Sequence, residues 1–251
     1  MKQPLIELKN IYKKFGDEPI LQGVNLSIYK GEVTAIIGQS GCGKSVLLKH
    51  IIGLILQDSG EILFRGIPLN QMSKKEKSSV KQKFSYMFQG SALFDSMTVF
   101  ENVALPLMEK KIFNKHKIEE KVNSMLDKLG LHGIDNKYPA QLSGGMKKRI
   151  ALSRALITEP EIVLFDEPTT GLDPVRKQTV HEMIADYQLK FGYTGILISH
   201  EIPDVFYISQ RIAMLSEGKI IFEGSPDEIV KVDDINVQLL IQERRLERLA
   251  K

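Results

Sequence analysis

Of the 251 residues, 43% are hydrophobic and 26% charged, and 34 basic against 31 acidic side chains leave a net charge of +3. A chain of this size and make-up can bury a core unaided, which excludes intrinsic disorder, collagen-like repeats and, with Cys42 the single cysteine, a disulfide scaffold. The opening residues lack the apolar stretch of a secretory leader, no run approaches the ~20 apolar residues of a membrane span, and the charge is too balanced to argue for nucleic acid.

Short β-rich runs alternate with helical patterns, so the expected class is α/β with a largely parallel central sheet. Strands are expected at 5–8 and 24–28, the latter alternating apolar and polar residues. Val33–Ile37 is a continuous apolar run of the kind buried on both faces of a parallel sheet. It ends in a glycine-rich turn, and a helix is expected over 44–52. Further strands are expected at 61–64 and 85–88, separated by a lysine-rich polar stretch, 73–83.

Between 101 and 156 the texture becomes helical. Ile118, Val122, Met125, Leu126 and Leu129 recur at helical spacing, and another helix should start near Ser143 and carry Ile150, Leu152, Ala155 and Leu156. Strands return at 162–165, Thr194–Ser199, 212–215 and 220–222. Helices are expected at 175–191 and 203–209, and a charged helical tail at 234–251. The division expected is a core of residues 1–89 and 160–230, a helical subdomain of 90–159, and a tail of 231–251.

Gly38-Gln39-Ser40-Gly41-Cys42-Gly43-Lys44-Ser45 fits G-x-x-x-x-G-K-[ST], with a buried strand before it and a helix after it. Glycines let backbone N–H groups turn inward around phosphate oxygens, and the following helix N-terminus adds a favourable dipole. Lys44 can bridge β- and γ-phosphates, and Ser45 can place its hydroxyl on Mg²⁺. The run 162–165 then ends in Asp166 and Glu167. A buried strand can carry Asp166 to its C-terminal edge beside the phosphate loop, where it would reach Mg²⁺ through water. Glu167 is the candidate to orient and deprotonate an attacking water.

Leu142-Ser143-Gly144-Gly145-Met146 resembles the LSGGQ signature of ATP-binding cassette (ABC) ATPases, with methionine in the last place. Physically, Ser143 can cap a helix while the glycines leave backbone N–H groups open to an anion. Other elements resemble the same family in the same order. Phe15 is similar to the aromatic residue that stacks on adenine, and Gln89 to the Q-loop glutamine that senses Mg²⁺ and water. Asp173, in Gly171-Leu172-Asp173, resembles the D-loop aspartate, and His200 the switch histidine that contacts the γ-phosphate.

The resemblance implies a P-loop NTPase core with an antiparallel β subdomain and an inserted α-helical subdomain. It also implies ATP and Mg²⁺ as cofactors and a head-to-tail homodimer, in which one copy grips the phosphates and Ser143, Gly144 and Gly145 of the other cover them. The implied activity is ATP hydrolysis coupled to a separate integral-membrane permease, at the cytoplasmic face of the inner membrane.

The run from Gln89 through Val103, Met146, and His200-Glu201-Ile202-Pro203-Asp204-Val205 together look like the ATPase of Mla-type phospholipid transporters. That likeness implies an MCE (mammalian-cell-entry) substrate-binding protein and a small STAS-domain subunit as further partners. Alternatives are the ATPase of a polar amino-acid importer and a non-transport ABC ATPase. A small-molecule P-loop kinase would leave Ser143 and His200 without roles. Lysines 74, 75, 77, 81 and 83 lack interleaved aromatics and read as a solvated helix face, so no nucleic acid is expected. Histidines 50, 116, 132 and 181 are assigned no chemistry.

Overall fold

The computed structural model describes residues 2–87, 92–110, 114–202, 204–235 and 237–238. Its chain folds as two sheets with helices packed on them. Strands β1 (Ile6–Phe15), β2 (Glu18–Ile28), β4 (Ser59–Phe64) and β5 (Ile67–Pro68) form an antiparallel sheet in the order β2-β1-β4-β5. The second sheet has the order β10-β9-β3-β8-β7-β6, built from β3 (Val33–Ile37), β6 (Phe84–Met87), β7 (Ile162–Asp166), β8 (Thr194–Ser199), β9 (Arg211–Ser216) and β10 (Lys219–Gly224). Within it β6, β7, β8, β3 and β9 run parallel, and only β10 is antiparallel to its neighbour.

The burial patterns follow from that placement. All of β3 and β8 is buried, as is β7 up to Asp166, because these strands lie inside a parallel sheet covered on both faces. β2 instead alternates over residues 24–28, as expected of a strand with one solvated side. One departure concerns β1, which continues beyond the expected 5–8 to Phe15. Asn10 has φ 49°, and the pairing with β2 shifts register between Leu8 and Ile11. That bulge breaks the two-residue period and hides the second half of the strand from a pattern search.

The helices start where side chains can satisfy the free N–H groups. Ser73 and Glu76 form a capping box on α2 (Lys74–Lys81), which turns the lysine-rich stretch into an exposed helix. α3 (Val99–Lys110) and α4 (Lys115–Lys128) precede α5 (Gly144–Leu156), which Ser143 caps through the Met146 N–H. Val122, Met125, Leu126 and Leu129 are all buried, so the helical spacing marked a real apolar face, whereas Ile118 is only partly covered. α6 (Pro174–Phe191) is capped by Asp173, has proline in its first turn, and stops at Gly192 with φ 68°.

The expected helix at 203–209 is a correction: the described residues of that stretch hold a 3₁₀ turn, Asp204–Tyr207, in its place. There the Ser209 hydroxyl donates to the Val205 carbonyl at 2.6 Å, which competes with helical continuation. The tail expected at 234–251 lies mostly outside the described residues.

Candidate active site

Sheet order brings the site together. β8 lies between β3 and β7, with Ile37 level with Ser199 and Asp166 level with Ile198. The loop after β3, the acidic pair ending β7 and the histidine after β8 therefore emerge side by side at one sheet edge, where open α/β sheets bind ligands.

The loop 38–45 leads into α1 (Lys44–Ile51), and its glycines answer steric demands. At Gly38, with φ 156°, a Cβ would stand 2.2 Å from the Leu215 carbonyl oxygen. Gly43 is left-handed at φ 103° and packs on Ile20. The same contact brings the β1–β2 hairpin against the loop, with Phe15 at its tip. Phe15 is 49% exposed, so it is not core; Lys13 Nζ lies 5.5 Å from its ring centroid. Buried Lys44 donates to the carbonyls of Gly38 at 3.0 Å and Gln39 at 2.7 Å, using two of its three N–H bonds. Gln39, Ser40 and Gly41 are exposed. Cys42 is partly buried, and burial pushes its thiol pKa up, which makes it a poor redox switch.

The hydroxyl of Ser45 meets Asp166 Oδ1 at 3.4 Å. The other oxygen of Asp166 accepts the Tyr86 hydroxyl at 2.6 Å. Two oxygen donors beside an anion cradle fit Mg²⁺, which takes one or two protein oxygens and completes its shell with water and phosphate. Next along, Glu167 adopts φ 45°, a left-handed conformation costing roughly 1–3 kcal/mol in a residue other than glycine. Its N–H is held by the Ile198 carbonyl at 3.1 Å, and its carboxylate accepts from Thr170 at 2.9 Å. That leaves Oε1 3.4 Å from His200 Nδ1. A carboxylate set beside a histidine at the mouth of a phosphate cradle can receive a proton from water.

A second layer escaped the sequence reading. Glu201, only 9% exposed, accepts the Thr169 hydroxyl at 2.5 Å and forms an ion pair with Lys177. His181 Nε2 lies 3.9 Å away and is buried. Burial would raise the Glu201 pKa, but Lys177 and Thr169 together hold it below the ordinary carboxylate value. Glu201 thus ties the turn carrying His200 to the loop that follows Glu167. Lys148 on α5 likewise donates to the Pro168 carbonyl at 2.7 Å. A residue's neighbours across a sheet leave no local pattern, and only the acidic residue beside the histidine could have pointed to Glu201.

Ser143, Gly144 and Gly145 stand apart from this cluster. They border a cavity of about 530 Å³ between α5 and α6 that draws no lining residue from the cradle. Asp173 caps α6 through the Arg176 N–H at 3.0 Å and is exposed. Gln89 lies outside the described residues.

The ABC transporter family model matches residues 21–170. The intermembrane phospholipid transport system ATP-binding protein MlaF of Haemophilus influenzae is 37% identical over 94% of this chain and 90% of its own length. A probable ribonucleotide transport ATP-binding protein of Mycobacterium leprae is 36% identical over 96% of this chain and 70% of its own. Among solved structures, a dimeric post-hydrolysis state of the ATP-binding cassette MJ0796 bound to ADP and Pi has a TM-score of 0.74 at 31% identity, covering 88% of this chain and 98% of that one.

Proposed function

The chain belongs to the ABC transporter family as an ATPase subunit, and from that premise we propose that it works as a head-to-tail homodimer powering a separate permease that moves phospholipid between two membranes. The observation that carries the reading is the meeting of Lys44, Ser45, Asp166, Glu167 and His200 at one sheet edge, with Ser45 against Asp166 and Glu167 against His200.

In this mechanism the N–H groups of the loop and of the first turn of α1 hold the phosphate oxygens, and Lys44 moves from its loop carbonyls toward the β- and γ-phosphates. Phe15 offers an exposed ring to the base. Ser45 and Asp166 would hold Mg²⁺, whose bound charge neutralises that of the phosphates. Glu167 takes a proton from water as the water oxygen bonds to the γ-phosphorus and the bridging oxygen leaves with ADP. His200 orients the Glu167 carboxylate from its other side. Catalysis of this kind is mostly positioning and charge stabilisation.

The dimer supplies what one copy lacks. Gly144 and Gly145 have ordinary backbone angles, and a Cβ at either would meet nothing within 4 Å. Neither backbone strain nor packing within the chain therefore calls for glycine there. Close approach by a ligand or partner does, and the γ-phosphate in a second copy's cradle is the anion that helix start suits. Asp173, exposed at the head of α6, faces the same partner.

Phospholipid as cargo rests on similarity to MlaF; an MCE protein and a STAS-domain subunit belong to the same reading, as does attachment to the cytoplasmic face of an inner membrane. Among the described residues no helix is long and apolar enough to cross a membrane.

Glu167→Gln tests the mechanism. It should bind ATP as the parent does, lose about a thousandfold in turnover and accumulate as a dimer on a sizing column. Parental turnover in that variant would remove Glu167 from the mechanism. Co-purification from membranes tests the cargo: the complex should carry phospholipid identifiable by mass spectrometry, and a complex carrying ribonucleotide instead would overturn it.

A further inference from the structure

Tyr86 lies on β6, opposite Leu164 of β7, and its ring packs against the apolar layer below the parallel sheet. Its hydroxyl reaches along the neighbouring strand to the carboxylate of Asp166 at 2.6 Å. That bond takes Oδ2, while Oδ1 is the oxygen 3.4 Å from Ser45. A free aspartate carboxylate turns over a broad, nearly two-fold torsion, so either oxygen could face the cradle. A phenol on one oxygen ends that freedom.

We infer that Tyr86 is a positioning residue for divalent-cation binding: its hydroxyl anchors Asp166 Oδ2 so that Oδ1 is presented with the Ser45 hydroxyl to the ion that accompanies the nucleotide. This rests on the reading of Ser45 and Asp166 as the cation's protein oxygens. It adds a control point on a strand that belongs to neither motif. Ligating carboxylates are oriented by such outer hydrogen bonds, and removing one typically weakens the metal 10–100-fold. Phenylalanine would keep the ring and remove the hydroxyl that donates to Asp166.

The test uses the purified full chain and equilibrium binding of the non-hydrolysable analogue AMP-PNP, titrated with Mg²⁺. Tyr86→Phe should leave affinity without Mg²⁺ unchanged and raise the half-saturating Mg²⁺ by about tenfold. Asp166→Asn should raise it further, and adding Tyr86→Phe to Asp166→Asn should change nothing more, because Tyr86 acts through Asp166. An unchanged or tighter Mg²⁺ requirement in Tyr86→Phe would overturn the inference. So would lost Mg²⁺-free binding, or an effect that persists without the aspartate, since both mark a merely structural role. An Asp166→Asn variant with the parental Mg²⁺ requirement would instead overturn the cation reading beneath it.

Discussion

Glycines at 38 and 43 press against atoms of their own chain, whereas those at 144 and 145 face open space. The first pair sits in left-handed or extended positive-φ backbone, between β9, the β1–β2 hairpin and α1. The second lies in ordinary helical backbone at the exposed head of α5. One region is completed by the fold, and the other waits for something brought to it. Glycine therefore means different things in the two places: a requirement of folding at the cradle and, in the proposed dimer, a requirement of encounter at the signature.

Substitution separates the two meanings, beginning with the largest effect. Gly38→Ala puts a methyl group 2.2 Å from the Leu215 carbonyl and should cost about 3 kcal/mol or more of stability, visible as a lower midpoint of chemical unfolding. Gly144→Ala should leave that midpoint within ~0.5 kcal/mol of the parent, or slightly above it, since alanine is the better helix former. Its ATP turnover should nonetheless fall about a hundredfold, the scale of a misplacement near 1 Å at a reacting centre. A destabilised Gly144→Ala chain, or one with parental turnover, would break the comparison.

The buried cluster behind His200 sharpens it, because it ties the turn carrying His200 to the loop after Glu167. His181 is faced by Glu201, Asp204 and Lys177, and burial lowers its pKa from the ordinary 6.5. The unfolded chain thus takes up that proton first, and stability is lost as pH falls below about 6.5. Glu201, held below the ordinary carboxylate value, adds a loss at lower pH, as the pH falls through its depressed pKa. Thermal unfolding midpoints should decline from pH 7 to pH 5, and His181→Gln should flatten the upper part of that decline. A variant with the parental slope would remove His181 from the cluster's titration. The smallest effect belongs to Cys42→Ser, which should keep ATPase activity within about twofold, because that position contributes mainly backbone to the cradle.

These differences also explain what was legible in the chain. The cradle, Asp166 and Glu167 could be read because each is a local pattern: a continuous apolar strand, then residues whose chemistry is set by position at its end. Their convergence followed once β3, β8 and β7 were neighbours. The second half of β1 was illegible because the bulge at Asn10 breaks the alternation. Tyr86 and Glu201 were illegible for another reason. Tyr86 meets Asp166 across 80 residues of sequence, and Glu201 meets Thr169 across 32, so neither contact leaves a spacing to find. The open glycines of α5 were recognisable as a motif, but only the space around them shows that nothing within the chain needs them.

In the proposed dimer a working site takes its cradle from one copy and its glycine pair from another, and mixing two inactive variants puts that sharing to the test. Lys44→Ala disables the cradle and Ser143→Arg the signature, so each variant alone should hydrolyse almost no ATP in a single-turnover assay. Mixed in equal amounts, they should recover activity, because the mixed dimer joins one intact cradle to one intact signature. A mixture as inactive as its parts, or a parent chain fully active as a monomer, would contradict the shared site.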